Sequence, residues 1–86
     1  VCTSTERVYL PRHKAPQFTE ALIAHVNSLR LGPGIEDSTD MGPMIGSTYR
    51  EKVEGHVAEA VSKGAKVLAG GRRPQQLERG YYYEPT

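Results

Sequence analysis

Two stretches of this chain carry apolar residues at helical spacing, and each leaves a stripe that something else must cover. In the first, Phe18, Leu22, Val26 and Leu29 recur with Ile23 beside them, while Gln17, Glu20, Asn27 and Arg30 take the other face. In the second, Tyr49, Val53, Val57, Ala60 and Val61 line one side. An amphipathic helix of this kind is stable when its stripe is buried. Pro16 suits a first helical turn, where its missing N–H is not needed. The first helix is predicted over Pro16 to Leu31, stopped by Gly32 at C′, with Arg30 beside its negative end. The second is predicted to open on a capping box of Thr48 and Glu51 and to close at Lys63-Gly64.

Around the helices the signals are shorter. Glu6 to Leu10, Lys66 to Ala69 and Tyr81 to Tyr83 read as strands, from their β-branched, apolar and aromatic content. Leu31 to Gly46, rich in Gly, Pro, Asp and Ser, reads as a long loop. Gly70-Gly71 reads as a turn and Arg72 to Arg79 as an exposed loop. The predicted fold class is α/β, in the order strand, helix, loop, helix, strand, strand. Three short strands barely supply the sheet that two stripes need, so residues 1–86 read as one partial domain of a larger sheet.

Composition agrees. A chain of 86 residues is one small domain at most, and 37% hydrophobic content implies a thin core that needs outside help. A net charge of +1 gives no reason to expect nucleic acid or an anionic membrane as partner. There is neither a long apolar run nor a signal-peptide pattern. A single cysteine excludes an internal disulfide and favours a reducing compartment, hence the cytoplasm. The start at Val1-Cys2 and the stop just after an aromatic run suggest excision from a longer chain.

Cys2 is the main chemical candidate, since a thiolate is a strong nucleophile when donors or positive charge lie near it. Thr3, Ser4 and Thr5 keep its surroundings small and polar. The alternative is that it is simply a small hydrophobe. His13, His25 and His56 lack the i, i+3 or i, i+4 spacing that suits a metal, so no metal site is expected. Gly32-Pro33-Gly34 lacks the strand-to-helix setting and the lysine of a phosphate loop. Arg72 and Arg73 read as solvated, Tyr49 as core, and the Tyr81-Tyr82-Tyr83 run as a strand packed on both faces rather than a base-stacking surface.

These residues together resemble the aldehyde dehydrogenase superfamily along the whole chain. Val1-Cys2-Thr3-Ser4-Thr5-Glu6-Arg7-Val8-Tyr9 is similar to the family's active-site segment, and Asp40-Met41-Gly42-Pro43-Met44-Ile45 to its Gly-Pro-x-Ile. Gly64-Ala65-Lys66-Val67-Leu68-Ala69-Gly70-Gly71 after an amphipathic helix is close to a family signature. Gly80-Tyr81-Tyr82-Tyr83-Glu84-Pro85-Thr86 resembles Gly-Tyr-Tyr-x-x-Pro-Thr. Where relatives usually read Gly-Asp-Pro, this chain has Gly32-Pro33-Gly34. The Gly71-Arg72-Arg73-Pro74 stretch and Gly80-Tyr81-Tyr82 lean toward the betaine-aldehyde and aminoaldehyde branch.

The resemblance implies a specific chemistry. Cys2 would attack a small-molecule aldehyde to give a thiohemiacetal, hydride would pass to NAD or NADP, and water would hydrolyse the resulting thioester. The Cys2 backbone N–H would donate to the oxyanion, and Thr3 would border the aldehyde pocket. By ungapped counting from Cys2, Lys52 and Tyr49 would approach the adenosine end of the cofactor. The family's side-chain oxyanion donor, its general base, its cofactor-domain glycine motif and its ribose-holding segment are not in this chain, so the 86 residues alone are expected to be inactive. Relatives assemble as homodimers or homotetramers. The competing reading is a non-catalytic small α/β structural or binding module; a nucleic-acid-binding version is disfavoured by the absence of a basic stripe.

Overall fold

The computed structural model describes residues 4–86. Helix α1 spans Ala15–Ser28, after a single 3-10 turn at Arg12–Lys14, and helix α2 spans Ser47–Ser62. Pro16 stands in the first turn of α1, as expected. The helix ends earlier than predicted, at Ser28 rather than Leu31, and Leu29 leaves it in extended conformation with its N–H on the Val26 carbonyl at 3.2 Å.

The early stop has a visible cause. The backbone N–H and guanidinium Nε of Arg30 donate to Asp40 Oδ2 at 2.8 and 2.9 Å, and Nη2 reaches Oδ1 at 3.1 Å. The N–H groups of Asp40 and Met41 in turn donate to the Arg30 carbonyl, at 2.8 and 3.1 Å. Residues 30–32 are thus committed to 40–41, where Leu31 and Met41 form a parallel bridge, and cannot continue a helix. Gly32 is not a C′ glycine: it is absent from the residues of positive φ. Its use is close approach, for a Cβ there would lie 2.6 Å from Thr39 Oγ1.

The capping box of Thr48 and Glu51 does not form. The N-cap is Gly46, with no side-chain bond, because α2 starts at Ser47 and leaves Thr48 already inside the first turn. The C-terminal end is as predicted. Gly64 adopts φ +97, its N–H donates to the Val61 carbonyl at 3.0 Å, and Ala65 donates back to Ala60 at 2.9 Å. This pair of bonds is a Schellman motif, which occupies two carbonyls that the helix end leaves over.

No strand forms among the described residues. Glu6 to Leu10, Lys66 to Ala69 and Tyr81 to Tyr83 are extended or irregular chain. A strand exists only through the neighbour it pairs with, and here the pairing is minimal. Glu84 donates to the Arg72 carbonyl at 2.9 Å, and Gly71 donates to Thr86 Oγ1 at 2.8 Å, which joins 70–72 to 84–86 without building a ladder. Tyr82 and Tyr83 are the buried hydrophobic residues, each 5% exposed.

The helices do not pack directly against each other. Between them lies an open apolar slot of about 320 Å³, lined by Leu22, Ile23, Val26, Val57, Val61 and Leu68 among others. The radius of gyration is 14.3 Å, against about 12 Å for a compact chain of this length. The accessible surface is 7312 Å², where a folded monomer of this mass exposes about 5,000 Å². The chain is thus more open than a compact domain of its length, and Phe18, Leu22, Tyr49 and Val61 of the stripes stay exposed while Val26, Val53 and Val57 are half-buried.

Candidate functional site

Cys2 and Thr3, the expected nucleophile and its pocket neighbour, lie outside the described residues. The chain that follows them has no regular secondary structure and is exposed from Ser4 to Tyr9, with Val8 at 55% and Tyr9 at 87% exposure. It enters the 3-10 turn before α1 at Pro11, whose carbonyl accepts the Lys14 and Ala15 N–H groups at 2.9 and 3.1 Å.

The two expected cofactor residues share one side of α2. Tyr49 and Lys52 are three apart, which sets them on neighbouring positions of a helical surface. Both are exposed, and Tyr49, expected as core in its structural reading, is 59% accessible. Among the described residues Lys52 makes no ion pair within 4.0 Å. On this shared side Tyr49 offers an aromatic face and Lys52 a point charge.

The opposite side of α2 holds a polar clamp that the sequence reading missed. Arg50 is half-buried and donates from Nη1 to the carbonyl of Gly80 at 3.2 Å, with a longer contact to that of Tyr82 at 3.5 Å. Its guanidinium carbon lies 5.5 Å from the centroid of the Tyr81 ring, within cation–π range. Nε of Arg50 is buried without a partner. One turn on, Glu54 accepts from both Nε and Nη2 of Arg73, the latter at 2.9 Å. The Arg73 hydrogen bond holds the Glu54 carboxyl below its ordinary range. Arg72 pairs with Glu84 at 3.0 Å. Arg72 and Arg73, read from sequence as merely solvated, therefore both hold carboxylates. The sequence signal for the clamp was Arg50 and Glu54 four apart, in register with Val53 and Val57. Behind it, burial first and then the charges of Glu54 and Glu84 push the Tyr83 phenol up, so it stays neutral. Among the described residues no group of three His, Cys, Asp or Glu is placed to hold a metal.

The family model for the aldehyde dehydrogenase family matches residues 1–86. The succinate-semialdehyde dehydrogenase [NADP(+)] 2 of Schizosaccharomyces pombe is 36% identical over 86 residues, 100% of this chain and 17% of that protein. The glutarate-semialdehyde dehydrogenase of Pseudomonas putida is 41% identical over 85 residues, 99% of this chain and 17% of that protein. Among solved structures, a point mutant of the betaine aldehyde dehydrogenase of Staphylococcus aureus, in complex with NAD+ and with a BME-modified cysteine, superposes with a TM-score of 0.96 at 35% identity. It is matched over 100% of this chain and 18% of its own. A chain with this local architecture and these relatives is a piece of dehydrogenase structure. It belongs to the aldehyde dehydrogenase family, and it spans about 17% of the length of the curated relatives it matches.

Proposed function

We propose that the complete polypeptide carrying this stretch oxidises an aldehyde to a carboxylic acid with NAD or NADP, and that residues 1–86 form part of its catalytic domain with Cys2 as the nucleophile. One observation carries the reading: the family match takes in Cys2 together with everything after it, through the last residue of the chain. The BME-modified cysteine of the Staphylococcus aureus relative supports it, since a thiol that reacts with a small reagent is what such chemistry needs.

The Cys2 thiolate attacks the aldehyde carbon. A carbon–sulfur bond forms, and the carbonyl electrons move onto oxygen, where the Cys2 backbone N–H donates to the oxyanion. Thr3, the residue after the nucleophile, would border the aldehyde pocket. Bound dinucleotide supplies the acceptor for the hydride that leaves the thiohemiacetal carbon. The thioester that remains on Cys2 is cleaved by water, which returns the thiol and releases the acid. Tyr49 and Lys52 offer the adenosine end a surface, and their shared exposed face fits that use. Both NADP(+) and NAD+ occur in relatives' names, so either dinucleotide fits.

The betaine-aldehyde and aminoaldehyde branch remains our preferred substrate class. It is supported by the betaine aldehyde dehydrogenase of Bacillus subtilis at 35% identity and aminoaldehyde dehydrogenase 1 of Pisum sativum at 31%. We place the enzyme in the cytoplasm, on the single cysteine, as a homodimer or homotetramer, the assembly that the family resemblance implies.

The test is aldehyde-dependent NADH or NADPH formation by the complete polypeptide and its Cys2→Ala variant. Turnover should vanish in the variant while dinucleotide binding persists; turnover that survives removes Cys2 as the nucleophile. The 86-residue chain by itself should form no NADH. Production by that chain, abolished by Cys2→Ala, would overturn the assignment of the remaining catalytic groups to other parts of the polypeptide.

A further inference from the structure

We infer that Arg50 is a positioning residue for the cofactor-facing turn of α2; the inference rests on the reading of Tyr49 and Lys52 as that face. At about 100° of rotation per residue, Arg50 projects roughly 160° away from Lys52 and about 100° from Tyr49. It therefore acts on the two only through the helix.

The start of α2 has few other anchors. Its N-cap is Gly46, without a side-chain cap bond and without an acidic residue in the first turn. The first bond across that turn, from the Arg50 N–H to the Gly46 carbonyl, is long at 3.3 Å. What fixes this end is tertiary. The Met44 N–H donates to the Tyr81 carbonyl at 2.9 Å, just before the helix. Arg50 Nη1 reaches the Gly80 carbonyl at 3.2 Å, and the guanidinium sits over the Tyr81 ring. Tyr82, next along the chain, is 5% exposed and its carbonyl lies 3.5 Å from Arg50 Nη1. A helix end with weak local capping, held by the Met44 backbone bond and one charged tether, moves when the tether is cut. Tyr49 and Lys52, carried on that end, would then meet the dinucleotide in a spread of positions.

The experiment is steady-state kinetics and NADH fluorescence titration on the complete polypeptide, comparing wild type, Arg50→Met, Arg50→Lys and Lys52→Ala. Arg50→Met should raise KM and Kd for the dinucleotide by about threefold to tenfold, the loss expected for one charged hydrogen bond acting indirectly. At saturating dinucleotide, kcat and the aldehyde KM should stay within about twofold of wild type. Arg50→Lys, which keeps a donor for the Gly80 carbonyl, should recover most of the affinity. If Lys52→Ala weakens NADH binding and Arg50→Met does not, Arg50 has no positioning role. If both Arg50 variants lower every parameter alike, the residue serves folding only and the inference is overturned. If Lys52→Ala leaves NADH binding unchanged, the cofactor face is not on α2 and the reading beneath the inference fails with it.

Discussion

Gly70 is where a single methyl group would do the most damage. Its φ is +60, and a Cβ built there collides with the Pro85 carbonyl oxygen and lies 2.8 Å from Thr86 Oγ1. The same Thr86 hydroxyl accepts the Gly71 N–H and donates to the Glu84 carbonyl at 2.7 Å, so the collision reaches the hook that joins 70–72 to 84–86. Gly64 is the matched control, with φ +97 and nothing within 4 Å of its Cβ position. Gly64→Ala should cost about 1 kcal/mol from backbone conformation alone. Gly70→Ala should cost about 2 kcal/mol or more, because overpacking adds to that term. Denaturation midpoints of the two variants of the complete polypeptide test this, and equal shifts would show that the Pro85 contact relaxes freely. A Gly-Gly turn was legible in the sequence. The atom that makes glycine obligatory there was not, since Pro85 lies fifteen residues from Gly70 along the chain.

At the scale of elements, the helices were readable and their junctions were not. Period-3.6 patterning is local, so Leu22 and Val26, or Val53 and Val57, report a helix from within the helix. The end of α1 is decided by Asp40, ten residues beyond Arg30. That ion pair makes the junction sensitive to acid. Hydrogen bonds from Arg30 lower the Asp40 carboxyl from its ordinary 3.8 to about 2. A depressed folded-state value means the tie stabilises fully above the unfolded value and is lost as pH falls through the folded one. The window is therefore from about pH 4 down to about pH 2. Carboxyl NMR titration should find the Asp40 midpoint near 2; a midpoint near 3.8 would mean that the pair does not hold in solution. The predicted strands are not formed among the described residues, for a related reason. Val67-Leu68 and Tyr81 to Tyr83 have the composition of strands, but composition cannot supply the neighbouring chain that accepts their hydrogen bonds. As for the candidate site, the sequence pointed to Tyr49 and Lys52 by family likeness and did not single out Arg50 and Glu54, whose partners Gly80 and Arg73 lie far along the chain.

For the molecule as a whole, the open slot between the helices sets the behaviour of the chain on its own. Leu22 is 45% exposed, Val61 48% and Leu68 57%, all along the same slot. Contiguous apolar surface of this kind is what an amphiphilic dye finds. The 86-residue chain should bind ANS and melt over a broad range, with helical far-UV signal but weak near-UV signal. A sharp, cooperative melt without ANS binding would mean that the two helices close onto each other in solution.

The pairing of Arg72 with Glu84 has a consequence for how this stretch can vary between relatives. Their backbone bond and their ion pair shut the base of the 73–83 segment like a clasp, with Tyr82 and Tyr83 buried just inside it. The entropy of closing a loop grows only logarithmically, about 0.6 kcal/mol for each doubling. Insertions and deletions can therefore accumulate between residues 75 and 79 at little thermodynamic cost, while Arg73 on Glu54, the glycine before the clasp and the aromatic pair inside it stay locked.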